Sequence, residues 1–169
     1  MTVINMEKNP GFTLIELLMV VVILSVLAAV AIPRFGSSTD PAKVVTIDST
    51  LASTRTAIDM YYQDHGEYPA ALETAHGTGD ENTQGAFEKQ LTLYTNADGY
   101  ISNKKDATHV FGPYLKNSLP ADPITGTSTV AVVTTGSPDL NATGVTTGGW
   151  KYDSATGGII MNHENYDDR

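Results

Sequence analysis

Residues 11–21 read GFTLIELLMVV and open an apolar run that meets no second charge before Ile32. The 21 residues from Phe12 to Ile32 match the ~20 that an α-helix needs to cross a hydrocarbon core of about 30 Å. Apolar side chains fall on every face, so this is not an ordinary amphipathic surface helix. One residue disturbs the pattern: Glu16, a carboxylate close to the start.

Three readings compete for the segment. The unbroken length argues against a buried helix of a soluble core. A secretory signal peptide would find a small-x-small cleavage site at Ala29-Val30-Ala31 and give a mature chain starting at Ile32. Against it stand an apolar stretch longer than the usual ~7–15 residues, an internal acid, and a weakly basic lead-in, MTVINMEKNP. The third reading is a membrane helix whose carboxylate has a role. Such a charge costs on the order of 2.5–3.5 kcal/mol at a bilayer centre, less near an end, so it needs a partner, a proton or a route to the interface. Cutting the chain between Gly11 and Phe12 would create an α-ammonium four residues, about one helical turn, from Glu16. That cation could pair within its own chain or with Glu16 of a neighbour, which would tie the pairing to assembly. Spacing alone leaves both open.

The segment GFTLIELLMVVVILSVLAAVAIPRF, residues 11–35, resembles the processing and assembly segment of type IV pilins and type II secretion pseudopilins. The likeness rests on Gly11 before the scissile bond, Phe12 after it, Glu16 at its offset, and Pro33 near the end of the run. It implies that a membrane prepilin peptidase cuts after Gly11 and methylates the Phe12 amine. It also implies that Glu16 then pairs with the Phe12 amine of an adjacent subunit in a filament. Asn9-Pro10 stands where that family usually has a basic residue, and Lys8 is the nearest base.

Beyond the run, Pro33 removes a backbone N–H and is expected to kink or interrupt the helix. Asp40 is expected to cap a new helix with Pro41 in its first position. From Ala42 to about Asp64, Val44, Ile47, Leu51, Thr54, Ile58 and Tyr61 or Tyr62 keep helical spacing. Asp48, Arg55 and Asp59 occupy the other side, with Arg55 and Asp59 spaced to pair. Gly66 and Pro69 end the helix. Residues 65–87 read as a turn followed by loop or short helix, and GPYLKNSLPADPITG, residues 112–126, as extended or turned chain. The β-branched TSTVAVVTT, residues 127–135, predicts a strand. GGWKYDSATGGIIMN, residues 148–162, predicts a hairpin of Trp150–Tyr152 against Ile159–Met161, turning through Asp153 and Gly157.

The expected fold class is therefore α+β: a long helix packed against a small antiparallel sheet. Tyr68-Pro69 and GPYLKNSLPADP are similar to major pseudopilins, GGWKYDSATGGI resembles the closing hairpin of several pilin-like proteins, and the paired cysteines of many pilins are missing. The resemblance implies a leader at 1–11, a transmembrane and filament-core helix at 12–35, its amphipathic continuation at 36–65, and a globular head at 66–169.

The remaining chemistry is sparse. With 10 Lys and Arg against 19 Asp and Glu, the net charge of −9 disfavours nonspecific nucleic-acid binding. The absence of cysteine removes disulfides and thiolate sites. His65, His76, His109 and His163 show no metal-ligand spacing, and neither a nucleophile elbow nor a phosphate loop occurs. Major pseudopilins bind calcium in the head. Asp139, Asn141, Thr143 and Gly144 echo the first half of a calcium loop, but Trp150 stands where its bidentate Glu belongs. Asp122, Asp139 and Asp153 are weak candidates for Ca²⁺, with solvated loop the plainer reading. Asn141-Ala142-Thr143 matches a glycosylation sequon.

No enzyme constellation emerges. The chain reads as a structural filament subunit, most like a major pseudopilin of type II secretion. The alternative is a type IV pilin for adhesion, twitching motility or DNA uptake, and the more distant rival a signal-anchored exported binding domain. The resemblance implies prepilin peptidase, an inner-membrane assembly platform, minor pilins or pseudopilins and further copies of the chain as partners. It also implies a bacterial inner-membrane, single-pass location with the head in the periplasm.

Overall fold

The computed structural model describes residues 12–31, 39–137 and 139–169. The expectations for Gly11, Pro33 and the leader lie outside the described residues. The chain divides into two compact units, Met1–Ala42 and Lys43–Arg169.

In the first unit, α1 runs Leu14–Ala31. Its large apolar side chains from Leu14 to Val26 are all exposed, between 51% and 84%. Among the described residues of the unit, nothing covers them on any side. Leu, Ile, Val and Met disposed all round a helix satisfy the backbone internally while leaving the side chains without apolar partners. At 18 residues α1 is shorter than the 21-residue run, and among the described residues no helix is long and apolar enough to cross a membrane.

The second unit is built on α2, Thr39–His65, from Lys43 onward. Ile47, Leu51, Thr54, Ile58 and Tyr61 are buried along one face, as their spacing predicts. Tyr62 points outward and stacks on Tyr68 with ring centroids 4.4 Å apart. Gly66 closes the helix: its φ is +73° and its N–H donates to the Tyr62 carbonyl at 2.8 Å. Asp40 lies within α2 instead of capping it. Arg55 does not take Asp59 as its partner. Its guanidinium donates to the carbonyls of Ile159, at 2.9 Å, and Arg169, at 2.5 Å, because the last strand passes over this part of the helix. Asp48 pairs with Arg169 at 3.2 Å.

A third helix, α3 at Gln84–Thr92, occupies the stretch expected to hold loop or short helix. The Thr83 hydroxyl oxygen accepts the Ala86 N–H at 3.1 Å and caps it. Ala86, Phe87, Gln90 and Leu91 bury one face. Two short strands follow, β1 at Tyr94–Thr95 and β2 at Ile101–Ser102, paired antiparallel.

The main sheet contains β3 at Val130–Val133, β4 at Trp150–Asp153 and β5 at Ile159–Met161, in that spatial order. The β4–β5 hairpin has the expected register, with Trp150 opposite Met161 and Tyr152 opposite Ile159. The expectation of an antiparallel sheet fails at β3, which pairs with β4 in parallel. The reason is the connection: 16 residues, 134–149, separate the two strands, long enough for the crossover that parallel pairing requires. The sheet is mixed, and the fold is α+β.

Trp150, Tyr152, Ile159 and Met161 form one core with Phe87, Leu91 and the buried stripe of α2. Two of the buried aromatic residues have their polar ends satisfied: Trp150 Nε1 donates to the Pro120 carbonyl at 3.0 Å and the Tyr152 hydroxyl to that of Pro69 at 2.9 Å. Gln90, fully buried, accepts the Ala70 N–H at 2.6 Å and donates to the carbonyls of Leu72 and Gly99 at 2.9 and 3.1 Å. One amide thus ties two loops to α3.

Candidate functional site

The start of α1 is held by a reciprocal pair. Thr13 donates its backbone N–H to Glu16 Oε2 at 2.9 Å and its hydroxyl to the same oxygen at 2.7 Å. The Glu16 N–H approaches Thr13 Oγ1 at 3.4 Å. This is a capping box: Thr at the position before the helix and Glu three residues on satisfy backbone donors that the first turn leaves orphaned. The carboxylate therefore has a use within its own chain, independent of any partner. The T-x-x-E spacing carried this signal and sequence reasoning passed over it.

Phe12 precedes the cap and is 81% exposed. Glu16 is exposed too, in the first turn of the helix. Phe12 and Glu16 are thus placed at one end of α1, accessible to a further molecule. Gly11 and Pro33, the other two predicted site residues, are outside the described part.

The three aspartates considered for calcium are not brought together as a ligand set. Among the described residues, no group of three or more His, Cys, Asp or Glu could hold a metal ion. Asp122 is 1% exposed, and both its oxygens accept from the protein. Oδ1 takes the N–H groups of Ile124 and Thr125 at 2.9 and 2.7 Å, and Oδ2 takes the Thr125 hydroxyl at 2.6 Å and the Gly149 N–H at 2.9 Å. Asp153, also buried, accepts from the Thr135 hydroxyl at 2.6 Å and the N–H groups of Gly136 and Ala155 at 2.9 Å each. Asp139 sits exposed in the 134–149 connection. Asp122 and Asp153 act as acceptors that fasten loops to the sheet.

Burial alone would raise the Asp122 carboxyl. The Thr125 hydroxyl and the N–H groups of Thr125, Gly149 and Ile124 outweigh it and hold the group below the ordinary carboxylate range. At Asp153 burial is likewise outweighed, by Thr135 and the N–H groups of Ala155, Gly136 and Ser137. A carboxyl depressed on folding contributes stability above its unfolded pKa, about 3.9, and loses it as pH falls through the folded value. The unfolding midpoint of the second unit in urea is therefore expected to hold at neutral pH and drop below about pH 4. A midpoint unchanged between pH 7 and pH 3 would contradict this role for the two aspartates.

Comparison with known proteins places the amino-terminal motif. A family profile described as the prokaryotic N-terminal methylation motif matches residues 6–32. The type II secretion system core protein G of Pseudomonas aeruginosa is 36% identical over 95 residues, covering 56% of this chain and 64% of that protein. A fimbrial protein of Neisseria meningitidis is 35% identical over 83 residues, 49% of each chain. The type IV narrow pilus major component PilA5 of Thermus thermophilus is 51% identical over 50 residues, 30% of this chain and 43% of that one. The chain thus spans about half to two thirds of the length of these first two relatives. No solved structure matches.

Proposed function

We propose that the chain, similar to pilins and pseudopilins over its amino-terminal part, is a structural subunit of a helical, pilus-like filament, of the kind formed by major pseudopilins of type II secretion. The observation that carries this is α1: apolar on every side, exposed from Leu14 to Val26, and opened by a methylation motif. Such a helix demands either lipid or other copies of itself. In this reading it is first an anchor in the inner membrane, with the head on the periplasmic side, and then the dry centre of a fibre.

Cleavage after Gly11 frees the Phe12 amine, which becomes methylated. In the filament that cation meets Glu16 of the adjacent subunit. Two costly charges then disappear only on assembly, which makes the pair a device for register as well as for stability. In this reading residues 66–169 form the head that faces outward from the fibre. Prepilin peptidase, a membrane assembly platform and minor pseudopilins are the partners this role requires.

The pseudopilin reading is preferred because the core protein G match extends over more of the chain than the pilus matches do. The type IV pilus reading is supported by the matches to fimbrial and narrow-pilus proteins. Deleting the gene separates them: loss of secreted enzymes from the medium indicates the first, and loss of surface fibres and motility the second. Processing itself is tested by the mass of the mature amino terminus. An N-methylated Phe12 is expected; a start at Ile32 would make the chain an ordinary secreted protein and end the filament reading.

A further inference from the structure

The connection between β3 and β4 contains a feature that filament assembly does not use. Asn141 is the one asparagine of the chain followed two residues later by Ser or Thr, with Ala142 between them, and Asp139 stands two residues before it. Asn141 and Thr143 are both exposed, whereas Ala142 between them is buried. The backbone is fastened from the inner side: the Ala142 N–H donates to Asp167 Oδ2 at 2.6 Å, and Lys151 Nζ donates to the Asn141 carbonyl at 2.6 Å. The Asn141 side chain is thereby presented to solvent from a fixed base.

The local geometry also acts on the amide. Asn141 Oδ1 accepts from the Thr143 hydroxyl at 3.3 Å and faces the Thr143 N–H at 3.5 Å, while Nδ2 makes only a long contact, 3.4 Å, to the Asp139 carbonyl. Donors at the amide oxygen draw electron density from nitrogen and make an Nδ2 proton easier to remove. Removal of that proton is what turns an amide nitrogen into a nucleophile.

We propose that Asn141 is an acceptor for N-linked glycosylation on the surface of the head. The donor is a sugar activated as a lipid-linked diphosphate, presented by a membrane glycosyltransferase. Asn141 Nδ2 forms a bond to the sugar C1 as the C1–O bond to the diphosphate breaks. The Nδ2 proton passes to a base on the transferase, the diphosphate leaves with the bonding electron pair, and nothing is oxidised or reduced. In the cell this requires an exported head and to that extent rests on the filament reading, but the acceptor chemistry does not.

The test keeps the two apart by using purified full-length chain in detergent. A bacterial oligosaccharyltransferase is added with a polyprenyl diphosphate-linked oligosaccharide of known mass, and intact and peptide masses are measured. One glycan is expected on wild type, at Asn141, with none on Asn141→Gln. Thr143→Ala should react about tenfold more slowly or worse, and Thr143→Ser should retain measurable transfer. Because Asn141 is exposed, Asn141→Gln should melt with the wild type, which shows that lost transfer is not lost folding. A control chain carrying an added, flexible D-x-N-x-T tail reports an active enzyme. Modification of the tail alone, or equal transfer to wild type and Thr143→Ala, overturns the assignment.

Discussion

Replacement of Glu16 by Gln is expected to leave the chain folded and inserted but to stop filament growth. The cap that this side chain makes and the counter-charge role proposed for it make the substitution informative. As a capping residue, Gln still offers an oxygen to the Thr13 N–H and hydroxyl, which Glu16 now accepts at 2.9 and 2.7 Å. As a counter-charge it offers nothing, so each Phe12 ammonium would enter the fibre core unpaired. An uncompensated buried charge costs about 3–5 kcal/mol, or roughly a factor of a hundred or more per contact at about 1.4 kcal/mol per tenfold. Filament yield, read by electron microscopy and sedimentation, should fall at least to that extent. Thr13→Val provides the complement. It removes the hydroxyl of the cap but keeps the carboxylate, and should cost about 0.5–2 kcal/mol at the helix start. Wild-type assembly by Glu16→Gln would sink the pairing account; a Thr13→Val defect equal to that of Glu16→Gln would mean that the cap alone matters.

Asp122→Ala should bring the largest loss of stability in the second unit, about 3–5 kcal/mol, because several buried donors would lose their acceptor at once. The side chain fastens the turn at 122–127 to Gly149, immediately before β4. The approach is close enough to demand glycine. Gly149 has φ +79°, and a Cβ there would lie 2.5 Å from the Thr129 carbonyl; a Cβ on Gly148, at φ +80°, would lie 2.8 Å from Asp122 Oδ2. Asp122→Asn should be nearly as damaging, since its NH₂ would face N–H and O–H groups that need an acceptor. Thermal melting of the full chain in detergent is the measurement. A Tm within a degree or two of wild type for Asp122→Asn would show that the carboxylate is not the fastener the geometry makes it.

The contrast between these two residues marks where sequence reading succeeds. Glu16 announces itself because a charge interrupts an apolar run, although its role in the cap, with Thr13 three residues away, was passed over. Asp122 looked like one of several loop acids that could gather round a cation. Its partner Gly149 is 27 residues distant, and no periodicity or spacing connects them. Gln90 is a similar case: a polar residue in an unremarkable segment, it is fully buried because loops from both sides of α3 need its amide.

Local rules set much of the rest. Helical spacing alone put Ile47, Leu51 and Ile58 on the covered face of α2, leaving Tyr61 or Tyr62 for the structure to choose, and the positive φ open to Gly66 ended that helix. Alternation and turn residues set the Trp150–Met161 register of the hairpin. In each, the deciding interactions fall within a few residues, so the side-chain pattern carries them directly. The parallel pairing of β3 with β4, the use of α3 as part of the core, and the conversion of Asp122 and Asp153 into loop fasteners came only with the tertiary structure. They depend on which distant backbone donors arrive together once the core has closed, and a linear pattern holds no record of that.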